Sequence, residues 1–427
     1  MSAASFSGYG LLRQLWPQKS IYEEILDKSP VLGLIKKDTK FGEEKRHIAV
    51  GIAGPQGIAG NFGDSKKYKT ASKSEKFAIE TSSYYGTFSV EGKLWRRYEM
   101  TGDKGIIVDP MGRDSKNLMI QIQNDLSTFI HGNGGGAIGR MTSTSTPAAS
   151  NQITLRAGAD SRRFELGMWL QTSTADGRSG TIKNGAVQVK AIKGTETAPI
   201  IEVEQSTWLA GIGDVAASDY IFRAGAYGSG AGGDGIINGF DAWFPLHTGT
   251  PGPFLGADRD KYANKLAGQC LDGTKMSPRQ RVMRASRLNA DVKGNRGRLI
   301  YAMSTRNWEN LYNELTQANA LVMSKAPAEK VGSISVGVEY DTIKLIGAGG
   351  MLQCVADPWM PDDVERLMNM DTMTLASTGE LVHWDDGATP DRPMLEDGAD
   401  AREVRAVGDI AFYCEAPWYQ VRVAVAA

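Results

Sequence analysis

The stretch "FIHGNGGGAIGR" at 129–140 sets five glycines (Gly132, Gly134, Gly135, Gly136 and Gly139) beside an arginine, the composition of a loop able to cradle a phosphate. Such loops aim free backbone N–H groups and the positive end of a helix dipole at the anion. Here the glycines follow a helical pattern instead of preceding one, so the neighbouring helix end would offer carbonyls and the negative end of its dipole. Gly134 and Gly139 have the P-loop separation, but Arg140 and Met141 stand where Lys and Ser or Thr are needed. The stretch is therefore read as a helix stop at Gly132 followed by a flexible exit.

The other reactive residue types are sparse. His47, His131, His247 and His383 fall in no metal-ligand spacing, and Cys270, Cys354 and Cys414 lie far apart with no CxxC pair, which suits reduced, buried thiols. No GxSxG elbow occurs. The adjacent carboxylates Asp362 with Asp363 and Asp385 with Asp386 sit in turn-like "PDD" and "WDDG" and read as solvated turn acids. Phe240, Trp243 and Phe244 in "GFDAWFP" read as anchors of a chain crossing between domains rather than a ligand box. No catalytic residue, cofactor or metal is expected. One set of charged residues remains, Lys66, Lys67, Lys69 and Lys73, read either as an assembly contact for acidic groups on a neighbour, as a contact for a phosphate, or as a solvated loop.

The 427 residues allow two or three domains. With 48 basic against 49 acidic residues the formal charge is -1, so no global field draws the chain to nucleic acid, and any DNA contact must be local. The 50 glycines imply many turns and much β-structure. No signal-like segment or uncharged run of membrane-spanning length appears, so no membrane partner is expected.

These residues need elements to hold them. "SIYEEILDKSPVLGLI" spaces Ile21, Ile25, Leu32 and Ile35 as a short helix capped by Ser20 and bent at Pro30. "HIAVGI" and "EKFAIETSSYYGTFSV" alternate as strands around a Gly-, Ser- and Lys-rich stretch. They predict a hairpin arm of about 15 residues, about 50 Å long, which projects beyond its own domain. Two readings stand for it: a ribbon that packs on another subunit, or a flexible surface hairpin.

Asp109 as a cap, Pro110 in the first turn, and Met111, Leu118, Ile122, Leu126 and Phe129 on one face predict a helix over 109–130. Short alternating runs over 150–225 predict an all-β module. Helices are expected at 258–271 and 278–292, the second with the capping signature "SPRQ". A strand at "RLIYAMS", a helix at "TRNWENLYNELTQANAL" and strands at "IKLIG" and "MLQCVAD" give an α+β domain, and a final strand closes the chain at Val421, Val423 and Val425.

This order of parts resembles the major capsid proteins of tailed bacteriophages, the Hong Kong 97-type fold. "ILDKSPVLGLI", the hairpin over 41–90, the helix over 109–130 with its "HGNGGGAIG" exit, "GFDAWFP", "VADPWMP" and "CEAPWYQVRV" all look like stretches of such proteins. The resemblance implies an α+β fold with an N-terminal arm (1–36), an extended E-loop hairpin (37–100) and a peripheral domain with its spine helix (101–149). An inserted β-module (150–225), a crossover (226–254), an axial domain (255–385) and a return to the peripheral domain (386–427) follow. No fused scaffolding segment or removed prosegment is expected.

It further implies a non-enzymatic shell subunit forming pentamers and hexamers of itself around double-stranded DNA, without sequence-specific binding. The implied partners are a portal and scaffolding or decoration proteins, and the implied location is the virion capsid, assembled in the bacterial cytoplasm. No partners for a lysine isopeptide crosslink match. The competing reading is a β-rich trimeric attachment protein that binds a receptor through 150–225.

Overall fold

The apolar spacing after Asp109 forms the helix Pro110–Phe129. The computed structural model describes residues 29–42, 45–93, 110–228, 236–292, 297–317, 323–325, 330–331, 334–335, 341–348, 350–385, 388–390, 393–396 and 398–426. Ile122, Leu126 and Phe129 of this helix are buried, with Met119 beside them, and Leu118 lies half-buried against the same core. Each such side chain contributes roughly 1.5–3 kcal/mol when fully covered. The side chain of Met111 and the cap Asp109 lie outside the described residues.

The long helix lies on strand Ser82–Glu91. A Cβ at Gly86 would stand 2.9 Å from Ile122 Cδ1 and 3.0 Å from Leu118 Cδ1, so glycine there sets how closely helix and strand approach. That strand pairs antiparallel with Ala401–Cys414, from Ser82 opposite Ile410 to Glu91 opposite Ala401. Lys36–Asp38, Met373–Ser377, His383–Trp384 and Met394–Leu395 complete a six-stranded sheet.

A second six-stranded sheet runs Ala137–Arg140, Tyr220–Arg223, Trp169–Ser173, Val187–Gly194, Pro199–Val203, Gln152–Thr154 in spatial order. It therefore begins inside the glycine-rich stretch. The expected flexible exit is a strand, with Ile221 opposite Gly139 and Tyr220 opposite Arg140. The glycines serve close backbone contact: a Cβ at Gly135 would lie 2.1 Å from the Asp176 carbonyl, and one at Gly136 would lie 1.9 Å from that of Ala226.

The third sheet has seven strands and mixed pairing. Leu299–Met303 runs parallel to Gly350–Ala356 and antiparallel to Val364–Asn369. The last strand, Val421–Ala424, joins this sheet between Val364–Asn369 and Gln269–Asp272. Within 386–427, Ala401–Cys414 thus enters the first sheet and the end of the chain enters the third. Side chains alternate across this third sheet, with Tyr301 and Met303 facing one core cluster and Ile300 and Ala302 the other. Helices Pro278–Ala290 and Thr305–Gln317 cover the first face through Val282, Ala285, Leu311 and Leu315. The architecture is a mixed α+β fold.

One further expectation changes. The helix read over 258–271 is a 3-10 turn Arg259–Tyr262, one α-turn Ala263–Leu266 and the strand Gln269–Asp272. Gly268, at φ +78°, ends the helical turn there. At the expected bend, Pro30 starts a helix, Pro30–Leu34, whose N-cap is the extended Ser29. The residues expected before it, Ser20, Ile21 and Ile25, lie outside the described residues.

Candidate functional site

The paired ribbon is shorter than its sequence alternation suggests. Arg46–Ala53 pairs with Lys73–Ile79, from Arg46 opposite Ile79 to Ala53 opposite Lys73, about 26 Å of strand at ~3.3 Å per residue. The alternation running on through "TSSYYGTFSV" belongs to the sheet built on Ala401–Cys414. The base of the ribbon is held by its own chain: Val50, Phe77 and Ile79 are buried, and the Phe77 ring lies 5.1 Å from Trp243 and 6.3 Å from Phe254. Lys261 pairs with Glu75 at 2.6 Å, and Lys265 donates to the Ile52 carbonyl at 2.6 Å.

Beyond this base, residues 54–72 form a tip with local order and almost no burial. The helix Phe62–Lys67 is capped by the Asn61 side chain, which accepts from the Asp64 N–H at 2.8 Å. Thr70 N–H donates to the Gln56 carbonyl at 2.9 Å, and the Ser65 hydroxyl donates to the Gly57 carbonyl, so the excursion closes on itself. Gly57, at φ +136°, lets the chain pass Lys69.

The chemistry of the tip is amphipathic. Ile58 is 98% exposed, Phe62 83% and Tyr68 63%. Ile58, Phe62, Pro55, Ser65, Lys66 and Lys69 line one open depression. The Lys67 ammonium lies 5.3 Å from the centre of the Tyr68 ring. The structure thus brings Lys66, Lys67 and Lys69 together at the tip, with Lys73 at the start of the returning strand. The three apolar side chains among them were not singled out in the sequence, although large apolar residues in a stretch of Gly, Ser and Lys were the available signal.

A contrasting group joins the helix Pro30–Leu34, the end of the long helix, the segment around Asp241 and the third sheet. Buried Arg366 donates to Asp241 Oδ1 at 2.6 Å and to the His131 carbonyl at 3.2 Å, and Arg422 Nε lies 3.2 Å from the same Asp241 oxygen. His131 Nε2 lies 3.4 Å from Asp357 Oδ2. Asp357 in turn accepts from Ser29 Oγ at 3.0 Å and Val31 N at 3.3 Å, tying the helix Pro30–Leu34 to the end of the strand Gly350–Ala356. Burial pushes the His131 imidazolium below its ordinary pKa, with repulsion from Arg366 adding to the shift. Burial alone would raise Asp241, but Arg366 and Arg422 reverse that and hold its carboxyl below the usual range. This constellation is a structural clasp, and its spread over 131, 241, 357, 366 and 422 left no local signal.

The motifs weighed for chemistry are occupied by structure. In the glycine-rich stretch, Gly135 N–H donates to Asn133 Oδ1 at 2.9 Å and its carbonyl accepts from Gly228 at 3.0 Å. Trp243 is fully buried and donates to the Phe412 carbonyl at 3.1 Å, while Phe240 and Phe244 are buried beside it. Asp362 faces Arg306 at 3.9 Å. Burial pushes the thiols of Cys354 and Cys414 up to about 12. Among the described residues, no three His, Cys, Asp or Glu side chains gather as a metal site, and no helix is long and apolar enough to cross a membrane.

No family model matches the chain, and no curated protein matches it. Among solved structures it is similar to a chain of the cyanophage A-1(L) capsid asymmetric unit, with 11% identity, a TM-score of 0.45, and coverage of 91% of this chain and 90% of that one. It is likewise similar to a chain of the capsid of the native GTA particle, at 8% identity and a TM-score of 0.46, covering 93% and 90%. A third similarity is to the virus-like particle from Pyrococcus furiosus, at 6% identity and a TM-score of 0.38, covering 95% and 96%.

Proposed function

We propose that this chain is the major capsid protein of a tailed double-stranded DNA bacteriophage, a shell subunit whose work is association and not catalysis. The observation that carries the reading is the tip over 54–72, a self-closed, amphipathic excursion that its own chain leaves uncovered. Burying side chains such as Ile58 and Phe62 is worth roughly 1.5–3 kcal/mol each, which the isolated subunit forgoes and a neighbouring copy would recover. The sequence resemblance over the arm, hairpin, long helix and axial parts supplies the kind of assembly.

In this reading the tip lies across an adjacent subunit, with Lys66, Lys67 and Lys69 meeting its acidic groups. The arm latches another copy, and the 255–385 region meets its counterparts around the local axis of pentamers and hexamers. Modest contacts suffice, because each closed ring raises the effective concentration for the next one. The portal and scaffolding or decoration proteins are the further partners, the enclosed genome is held without sequence-specific contacts, and assembly takes place in the host cytoplasm.

The test is expression of the chain alone, followed by negative-stain electron microscopy and light scattering, beside a variant lacking 54–72. Closed particles tens of nanometres across, or capsomer rings, are expected from the complete chain. Folded subunits that do not close are expected from the deletion. Normal shells from the deletion would remove the tip from the assembly role, and a stable trimer of the complete chain would favour the attachment-protein reading.

A further inference from the structure

The helix Pro278–Ala290 carries four arginines and no acidic residue. One of them, Arg281, points inward and is held by Glu365 through two bonds of 2.9 and 2.7 Å, with the Tyr301 hydroxyl on the same carboxylate at 2.6 Å. This buried clamp, together with Val282, Ala285 and Ser286 on the sheet side, fixes the rotation of the helix. The opposite side therefore presents Arg279, Arg284 and Arg287 to solvent, with Met283 40% exposed between them. None of these three guanidinium groups has an acid partner among the described residues. The Glu314 carboxylate nearby is already engaged by Ser277 Oγ and the Arg279 N–H. The adjoining helix Thr305–Gln317 exposes one arginine, Arg306, and one glutamate, Glu309, and so does not neutralise the stripe.

We infer that Arg279, Arg284 and Arg287 form a docking stripe for the phosphate backbone of double-stranded nucleic acid. The stripe spans about 12 Å along the helix at ~1.5 Å per residue, while a duplex carries one negative charge per ~1.7 Å of axis. Several phosphates therefore fall within reach of the three guanidinium groups, whose planar forks suit phosphate oxygens. Met283 and Ala290 are exposed on the same side, and a contact made to phosphate oxygens positions the duplex without itself carrying sequence information. In a chain of net charge -1, it is a local attraction that would hold a genome without a strongly cationic surface. The identity of the duplex as an enclosed genome rests on the proposed shell function; the phosphate contact itself does not.

The experiment titrates the full chain with a labelled random-sequence DNA duplex across a salt series. Three variants accompany it: Arg279→Gln, Arg284→Gln and Arg287→Gln combined; the same three positions changed to Lys; and Lys66→Gln, Lys67→Gln and Lys69→Gln combined. The triple Gln variant should reduce the slope of log affinity against log salt by about 2.7, at ~0.9 per phosphate contact, while the triple Lys variant and the tip variant retain it. An unchanged slope in the triple Gln variant, an equal loss in the tip variant, or no measurable duplex binding by the parent chain would overturn the inference. So would a triple Gln variant that keeps its slope but no longer assembles, which would set the stripe against an acidic surface of another copy. Electron microscopy of the same preparations separates the two readings, since failure of the parent chain to form shells counts against the proposed function and leaves the binding result standing.

Discussion

The hairpin tip and the clasp around Asp241 are made of similar materials, charged groups beside aromatic rings, in opposite surroundings. At the tip, Lys67 lies over Tyr68 and Ile58 is 98% exposed. At the clasp, Arg366 lies 5.6 Å from the Phe240 ring centre and is 1% exposed. The clasp therefore acts within the subunit, where every charge must be compensated. The tip contributes little to the subunit that carries it, and clustered exposed apolar side chains of this kind are a mark of contact surfaces. Substitutions should separate the two regions: stability should respond to the clasp, and association to the tip.

The largest effect is expected from Asp241→Ala. It leaves buried Arg366 and half-buried Arg422 without their shared carboxylate, and loss of one partner of a buried pair typically costs about 3–5 kcal/mol. Denaturant unfolding of the unassembled subunit should show a lower midpoint with an unchanged slope. A shift as small as that of a surface substitution would mean that the clasp is solvated and that the contrast with the tip is false.

A second test concerns how tightly the framework between the regions is set. Gly86→Ala forces a methyl group against Ile122 and Leu118, an overpacking expected to cost about 1–3 kcal/mol. Removing the Ile122 Cδ1 with Ile122→Val in the same chain should recover part of the loss in a double-mutant cycle. Additive losses would show that helix and strand can part without strain.

The elements that position both regions were legible where a period is local. Pro110–Phe129 follows from apolar residues recurring on one face, and Pro278–Ala290 from Ser277, Pro278 and Gln280 in a capping box. What could not be read was partnership. Ser82–Glu91 continues the alternation of Lys73–Ile79, so the two look like one long strand, yet it pairs with residues more than 300 positions away. Val421–Ala424 was recognisable as a strand, but nothing in its own residues says that Gln269–Asp272 will lie beside it. The lysines of the tip were visible as a charge group, whereas Ile58, Phe62 and Tyr68 follow no period and acquire meaning only once the chain is seen to leave them uncovered.

A smaller effect tests the clasp through pH. Because burial depresses the pKa of His131 in the folded chain, the unfolded chain takes up that proton first as pH falls below its ordinary value of about 6.5. This contribution to stability is therefore intact above about pH 6.5 and declines below it, by at most about 1.4 kcal/mol per pH unit, until the folded ring also protonates. His131→Asn removes the titrating group beside Asp357 and Arg366, so the stability difference between parent and variant should change across that range. A constant difference from pH 7 to 5 would show that the ring titrates as if exposed.

The smallest effect on stability is expected at the tip, and it gives the sharpest form of the comparison. Ile58→Asp with Phe62→Asp replaces two side chains that are 98% and 83% exposed, so subunit stability should stay within about 0.5 kcal/mol of the parent. Assembly should nevertheless fail, because a carboxylate carried into an apolar contact must be desolvated without a partner. Particle yield by light scattering, measured beside unfolding of the unassembled subunit, reads both quantities from one preparation. Equal losses of stability and yield would mean that the tip folds onto its own subunit, while normal yield would mean that copies meet elsewhere. Only retained stability with lost yield fits a tip whose burial is supplied by a neighbour.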